Sequence, residues 1–226
     1  MCGRFTLHHP EEEVAEGFGV QQLFSPLAPR YNIAPSQPVA VVLEEEGRRC
    51  LDAYKWGLVP FWAKDPKIGA RMINARAETL AEKPSFRAAL TRRRCLIPAD
   101  GFYEWKKEGD ARRPFHIRLR SEEPFPFAGL YEEWQAPDGS PLRTCTIITV
   151  EPNPLMAQIH NRMPAILDPD AREAWLDPAL KDAPGLLQLL KPYPEKEMEA
   201  FPVSRRVNAP TFDDPACIQP VEDSAT

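Results

Sequence analysis

Twenty-six of the 226 residues are proline, and nothing else in the chain restricts its fold so much. Each proline fixes φ, removes a backbone donor and interrupts a helix or an inner strand. Spread along the whole length, they leave room for short elements joined by ordered loops. The apolar segments between them fit that pattern. Residues 38–44 (PVAVVLE) and 50–56 (CLDAYKW) flank a Glu-Gly-Arg turn and predict a hairpin. The run 94–105 (RCLIPADGFYEW) predicts two strands broken at Asp100-Gly101. Further strands are expected at 3–8, 114–120, 126–131, 143–150, 163–167 and 197–203, and short helices at 10–18, 85–91, 154–160, 170–176 and 184–190. Strands outnumber helices and do not alternate with them as βαβ units. The expected class is α+β: one domain, residues 1–220, around a curved, mainly antiparallel, barrel-like sheet with short flanking helices. Residues 221–226 (VEDSAT) read as a disordered tail.

Composition narrows the function. A charged fraction of 27 % and a hydrophobic fraction of 43 % are ordinary for a soluble globular protein. No apolar run approaches a membrane span. The start, MCGRFTLHHPEEE, turns acidic at once, unlike a leader peptide, so the cytoplasm is the expected location. The five cysteines are Cys2, Cys50, Cys95, Cys145 and Cys217, an odd number with no CxxC pair, which argues against a disulfide framework or a zinc ribbon. A net charge of −5 argues against a general polyanion binder but allows a local basic cleft.

Cys2 is the most informative single residue. Removal of Met1 would place a free α-amine and a thiol on one residue, two carbons apart. Such a 1,2-aminothiol condenses with an aldehyde: the amine forms an imine and the thiol closes a five-membered thiazolidine. An α-amine titrates near ~7.7–8.0 and a lysine near ~10.4, so the terminal amine is the better nucleophile near neutrality. Ring closure is intramolecular and gains effective molarity. This chemistry expects an exposed amino-terminal thiol.

Three other segments are richer in functional side chains than packing requires: Ile73-Asn74-Ala75-Arg76-Ala77-Glu78-Thr79, Gly101-Phe102-Tyr103-Glu104-Trp105 and His160-Asn161-Arg162-Met163-Pro164. Each also has an ordinary structural reading. Asn74 suits a cap on a helical run starting at Ala75. Glu104 suits a strand surface, although its bulky neighbours favour burial and acid–base work. His160 suits a helix C-terminus.

In this order, with cysteine at position 2, the four segments resemble the SOS-response-associated peptidase (SRAP) family of abasic-site processing proteins. The resemblance covers nearly the whole chain and includes Tyr31-Asn32-Ile33-Ala34-Pro35, Trp56-Gly57-Leu58-Val59-Pro60, Glu104-Trp105-Lys106-Lys107 and Pro202-Val203-Ser204-Arg205. It implies binding of single-stranded DNA and covalent capture of abasic sites, with Cys2, Asn74, Glu104 and His160 in the catalytic roles. A weak abasic-site lyase activity and self-removal of Met1 are compatible with it. Pro60-Phe61-Trp62 departs from the paired tryptophans of some relatives, which assigns base stacking to Trp62 more than to Phe61. His160-Asn161-Arg162 has Asn where some relatives have Asp. Arg4, Arg76 and Arg162 are expected to clamp flanking phosphates, with Arg71 and Thr149 as further DNA contacts.

No cofactor and no metal are expected, and the expected state is a monomer that joins the nucleoid when on DNA. The rival functions are a thiol peptidase pairing Cys2 with His160, a non-catalytic binding module, and a metal site drawn from Cys2, His8, His9 and His160, whose spacing fits no standard pattern.

Overall fold

The computed structural model describes residues 2–221; Met1 and residues 222–226, and so all but Val221 of the expected tail, lie outside the described residues. Thirteen strands are formed among the described residues: β1 (Phe5–Leu7), β2 (Gln22–Leu23), β3 (Arg30–Ile33), β4 (Pro38–Glu45), β5 (Arg48–Trp56), β6 (Asn74–Arg76), β7 (Arg94–Ala99), β8 (Gly101–Glu108), β9 (Ala111–Leu119), β10 (Phe125–Gln135), β11 (Pro141–Val150), β12 (Met163–Pro164) and β13 (Met198–Pro202). The helices are α1 (Glu11–Phe18), α2 (Arg87–Arg92), α3 (Pro154–Ala157), α4 (Pro169–Leu176) and α5 (Ala183–Gln188). None is long and apolar enough to cross a membrane.

Five strands close on themselves. β11, β10, β7, β4 and β5 pair antiparallel in that order, and β5 returns to β11 in parallel register through Lys55↔Thr144 and Trp56↔Cys145. The result is a small mixed barrel, and β6 and β12 extend its β11 flank. A second sheet, in the order β13-β9-β8-β1-β3, lies beside it. The hairpin β4–β5 turns at Glu46 and Gly47, both with positive φ (50° and 75°), the twist that two-residue hairpin loops favour.

One main core joins barrel and sheet. Phe5 of β1 packs edge-to-face on Trp56 and Phe127 of the barrel, with centroids 5.2 and 5.8 Å apart, and Phe102 of β8 meets Phe127 at 6.0 Å. Such pairs add to the stabilisation from apolar burial itself. A smaller cluster of Tyr103, Val203, Val207 and Cys217 packs on the other face of the second sheet. Alternation along β8 produces this division: Phe102 belongs to the main core and Tyr103 to the smaller one.

Several sequence expectations change in detail. The helix expected at 154–160 ends at Ala157, and a turn carries the chain on to His160. The strand expected at 163–167 is paired only at Met163–Pro164, plus an isolated bridge from Ile166 to Phe127. Asn74 caps no helix. It is the first residue of β6 and pairs with Ile147. Among the expected disordered-tail residues, Val221 donates to Pro202 O at 3.0 Å.

Candidate active site

Cys2 stands just before β1, and β1 lies against β8 through Phe5↔Phe102 and Thr6↔Gly101. Tyr103 N donates to Arg4 O at 2.9 Å, which draws the amino-terminal segment along β8 toward Glu104. From the barrel side, Asn74 Nδ2 donates to Cys2 O at 2.7 Å. This bond crosses from the barrel to the second sheet. Asn74 Oδ1 is buried and has no hydrogen-bond partner. Glu104 is 3 % exposed. Its Oε1 lies 3.9 Å from Nδ1 of His160, whose side chain remains partly open to solvent. The same Nδ1 is 3.1 Å from Arg162 N, a donor, and 3.3 Å from Arg162 O, an acceptor, so the ring meets a partner in either protonation state.

The four residues singled out in the sequence therefore come together where the two sheets meet. Cys2 differs from expectation in one respect: it is fully buried, not exposed. Burial first, and the Glu104 carboxylate second, push its thiol well above the usual cysteine range. The thiol is held neutral, the opposite of the lowered pKa that activates a peptidase cysteine.

The expected DNA contacts divide into two groups. Arg76, Arg71 and Trp62 are exposed. Trp62 and Arg71 line one groove of about 510 Å³ together with Lys64 and Lys67. The loop that presents Trp62 is pinned from below. Trp134 Nε1 donates to Ala63 O at 2.7 Å and Val59 N donates to Thr144 Oγ1 at 2.9 Å. Phe61, which the sequence reading ranked below Trp62 for stacking, is exposed as well. Lys64 and Lys67 were not anticipated; the signal was a pair of lysines within five residues of an exposed aromatic.

The other group faces inward. Arg4 donates to Asn32 Oδ1 and to Val207 O, each at 2.7 Å, and so ties β1 to β3 and the C-terminal segment. Arg162 is bidentate to Glu78 at 2.7 and 3.0 Å and donates to Thr149 O at 2.6 Å. Thr149 is fully buried with its hydroxyl on Ala75 O, so the expected DNA contact is corrected to a structural one. β11 is buried on both faces from Thr144 to Val150, so neither face offers that side chain to solvent.

Cys2, His8, His9 and His160 do not form one metal-binding group. His8 and His9 gather at Asp100, while His160 faces Glu104.

A closed mixed barrel, flanked by a second sheet and joined to it through an amino-terminal cysteine, asparagine and glutamate, defines a recognisable class. The chain belongs to the SOS response associated peptidase (SRAP) family, whose model matches residues 1–210. It is 49 % identical over 222 residues to the abasic site processing protein YoqW of Bacillus subtilis, covering 97 % of this chain and 99 % of the relative. It is 34 % identical to the abasic site processing protein HMCES of Gallus gallus, over 86 % of this chain and 67 % of that one. A crystal structure of a protein from Bacteroides thetaiotaomicron superposes with a TM-score of 0.89 at 30 % identity, covering 98 % of this chain and all of that one.

Proposed function

We propose that this protein processes abasic sites in DNA and that it does so by covalent capture through Cys2 once Met1 has been removed. The names of its relatives support the first part. The hydrogen bond from Asn74 to Cys2 O, with Glu104 buried beside the same cysteine, carries the second.

The ring-opened abasic sugar offers a C1′ aldehyde. The Cys2 nitrogen bonds to that carbon to give a carbinolamine, and the former carbonyl oxygen leaves as water to give an imine. Sulfur then bonds to the same carbon and the thiol proton ends on nitrogen, closing the thiazolidine with net loss of one water. The amine acts first, and a thiol that burial holds neutral needs a base when it adds. Glu104 is the carboxylate at hand, and its neighbour His160 connects it to solvent. Asn74 Nδ2 fixes the Cys2 backbone, and its unpartnered Oδ1 is available to an N–H formed in the reaction. A ring that consumes the imine protects the strand from β-elimination; an imine that lingers gives weak lyase activity.

The exposed Trp62 beside Lys64, Lys67 and Arg71 favours an unpaired strand, with the aromatic stacked on a base and the cations on phosphates. The test is a heat-stable crosslink to an abasic single-stranded oligonucleotide. The wild-type protein forms it, and Cys2→Ala leaves at most an imine trapped by borohydride. A heat-stable adduct in Cys2→Ala contradicts the proposal.

A further inference from the structure

We propose that His8, His9 and Asp100 bind a divalent transition-metal ion of the zinc class, at the end of β1 opposite Cys2. The proposal is independent of the abasic-site chemistry.

One nitrogen from each imidazole and one carboxylate oxygen converge there, all within 4.8 Å of one another. His8 Nδ1 is 2.9 Å and His9 Nδ1 is 3.0 Å from Asp100 Oδ2. Ligand atoms on one tetrahedral zinc lie about 3.3 Å apart, so an opening of a few tenths of an ångström admits the ion. Two imidazoles and a carboxylate are a donor set for zinc and its neighbours, not for calcium or magnesium.

His8 and His9 converge on one oxygen of Asp100. The buried Nδ1 of His8 lies 2.9 Å from the carboxylate oxygen and pairs with it. His9 Nδ1, at nearly the same distance, bonds to that oxygen as well. Oδ2 also accepts from the backbone N of His8 at 2.5 Å and of His9 at 3.2 Å. With so many donors gathered on one oxygen, a cation placed among the three atoms would replace the two imidazole contacts.

The surroundings hold the ligands in place. Thr6 Oγ1 donates to Asp100 Oδ1 at 2.5 Å and fixes the carboxylate. The His8 ring stacks on Tyr31 with centroids 5.1 Å apart. His116 stands near Asp100, but burial keeps it neutral and it adds no competing charge. The imidazoles are partly open, which leaves a face for water or a further ligand. A bound ion would join β1, the segment after it and the β7–β8 corner.

The test uses the full chain after treatment with EDTA, titrated with zinc chloride calorimetrically at pH 7.5 and with cobalt(II) by visible absorption. One ion per chain is expected, with a rise in Tm on zinc addition. Loss of an outer partner of a ligand weakens a metal site by about 10–100-fold, so loss of a ligand in His8→Gln or His9→Gln should cost at least about 100-fold. Both variants keep Asp100 and its backbone bonds, and His9→Gln should crosslink abasic DNA like the wild type. Zinc binding should persist in Cys2→Ala and His160→Gln. Absence of binding to the wild type, unchanged affinity in both histidine variants, or loss of the ion in Cys2→Ala would each overturn the assignment.

Discussion

Asn74 shows how much one side chain can do at the residue scale. Its Nδ2 is the described side-chain link between the barrel and the Cys2 backbone. Asn74→Ala removes one hydrogen bond, a stability cost of about 0.5–1.5 kcal/mol. If that bond positions the nucleophile, the crosslinking rate should fall by about 100-fold, because small misplacements of reacting groups are costly. Urea melts and single-turnover gels separate the two effects; a rate within twofold of wild type removes Asn74 from the mechanism. The sequence singled out Cys2, Asn74, Glu104 and His160, through polar-rich short segments and their resemblance to the family's motifs, and the fold brings these four together. The burial of Cys2 was not legible there. It depends on β1 entering the core between β3 and β8, a contact between distant parts of the chain.

At the scale of elements, the loop carrying Trp62 and the turn that follows it form the exposed groove. Trp62→Ala should weaken binding to single-stranded DNA by about 1–3 kcal/mol while leaving the salt dependence unchanged, since stacking releases no counterions. Lys67→Ala should instead lower the slope of log K against log salt by about 0.7. Fluorescence anisotropy at several salt concentrations distinguishes them, and equal effects of both variants on the slope would contradict the division of labour. The hairpin β4–β5 and the break between β7 and β8 were readable from alternation and from Asp100-Gly101. β3 was not, because Arg30–Ile33 has no clean alternation. Its order comes from tertiary bonds, with Asn32 Nδ2 donating to Val207 O, Ala209 O and Phe212 O. β6 was read instead as a possible helix start because three residues pairing in parallel with β11 leave no period in the sequence. The close approach of Gly57 to Gly69 was equally invisible: a Cβ on Gly57 would lie 2.7 Å from Gly69 O. That contact sets the path of the chain into Asn74.

Stability and chemistry meet at the scale of the whole molecule. His116 is 1 % exposed, and neither ring nitrogen has a hydrogen-bond partner. Burial pushes its pKa down to about 3. The unfolded chain takes up that proton near ~6.5 and the folded chain does not. The His116 contribution is therefore intact above ~6.5 and is lost as pH falls toward about 3, by up to ~1.4 kcal/mol per unit. His9, whose pKa is raised by its bond to Asp100, acts in the opposite sense, so the comparison must be made against a variant. His116→Phe, placed between Tyr103 and Phe201, should flatten the loss of stability between pH 6.5 and 4.5. An unchanged pH slope in urea melts would contradict this. The barrel class was visible in the sequence as many short strands punctuated by proline, whereas the parallel closure of β5 on β11 requires the assembled fold.

Intact mass spectrometry after mixing the purified protein with an abasic single-stranded oligonucleotide tests the covalent mechanism most directly. The expected species is the chain without Met1 plus the oligonucleotide, less one water, stable to heat and mapping to Cys2. A protein that has lost Met1 yet remains unmodified, or one that carries the DNA on another residue, would contradict it.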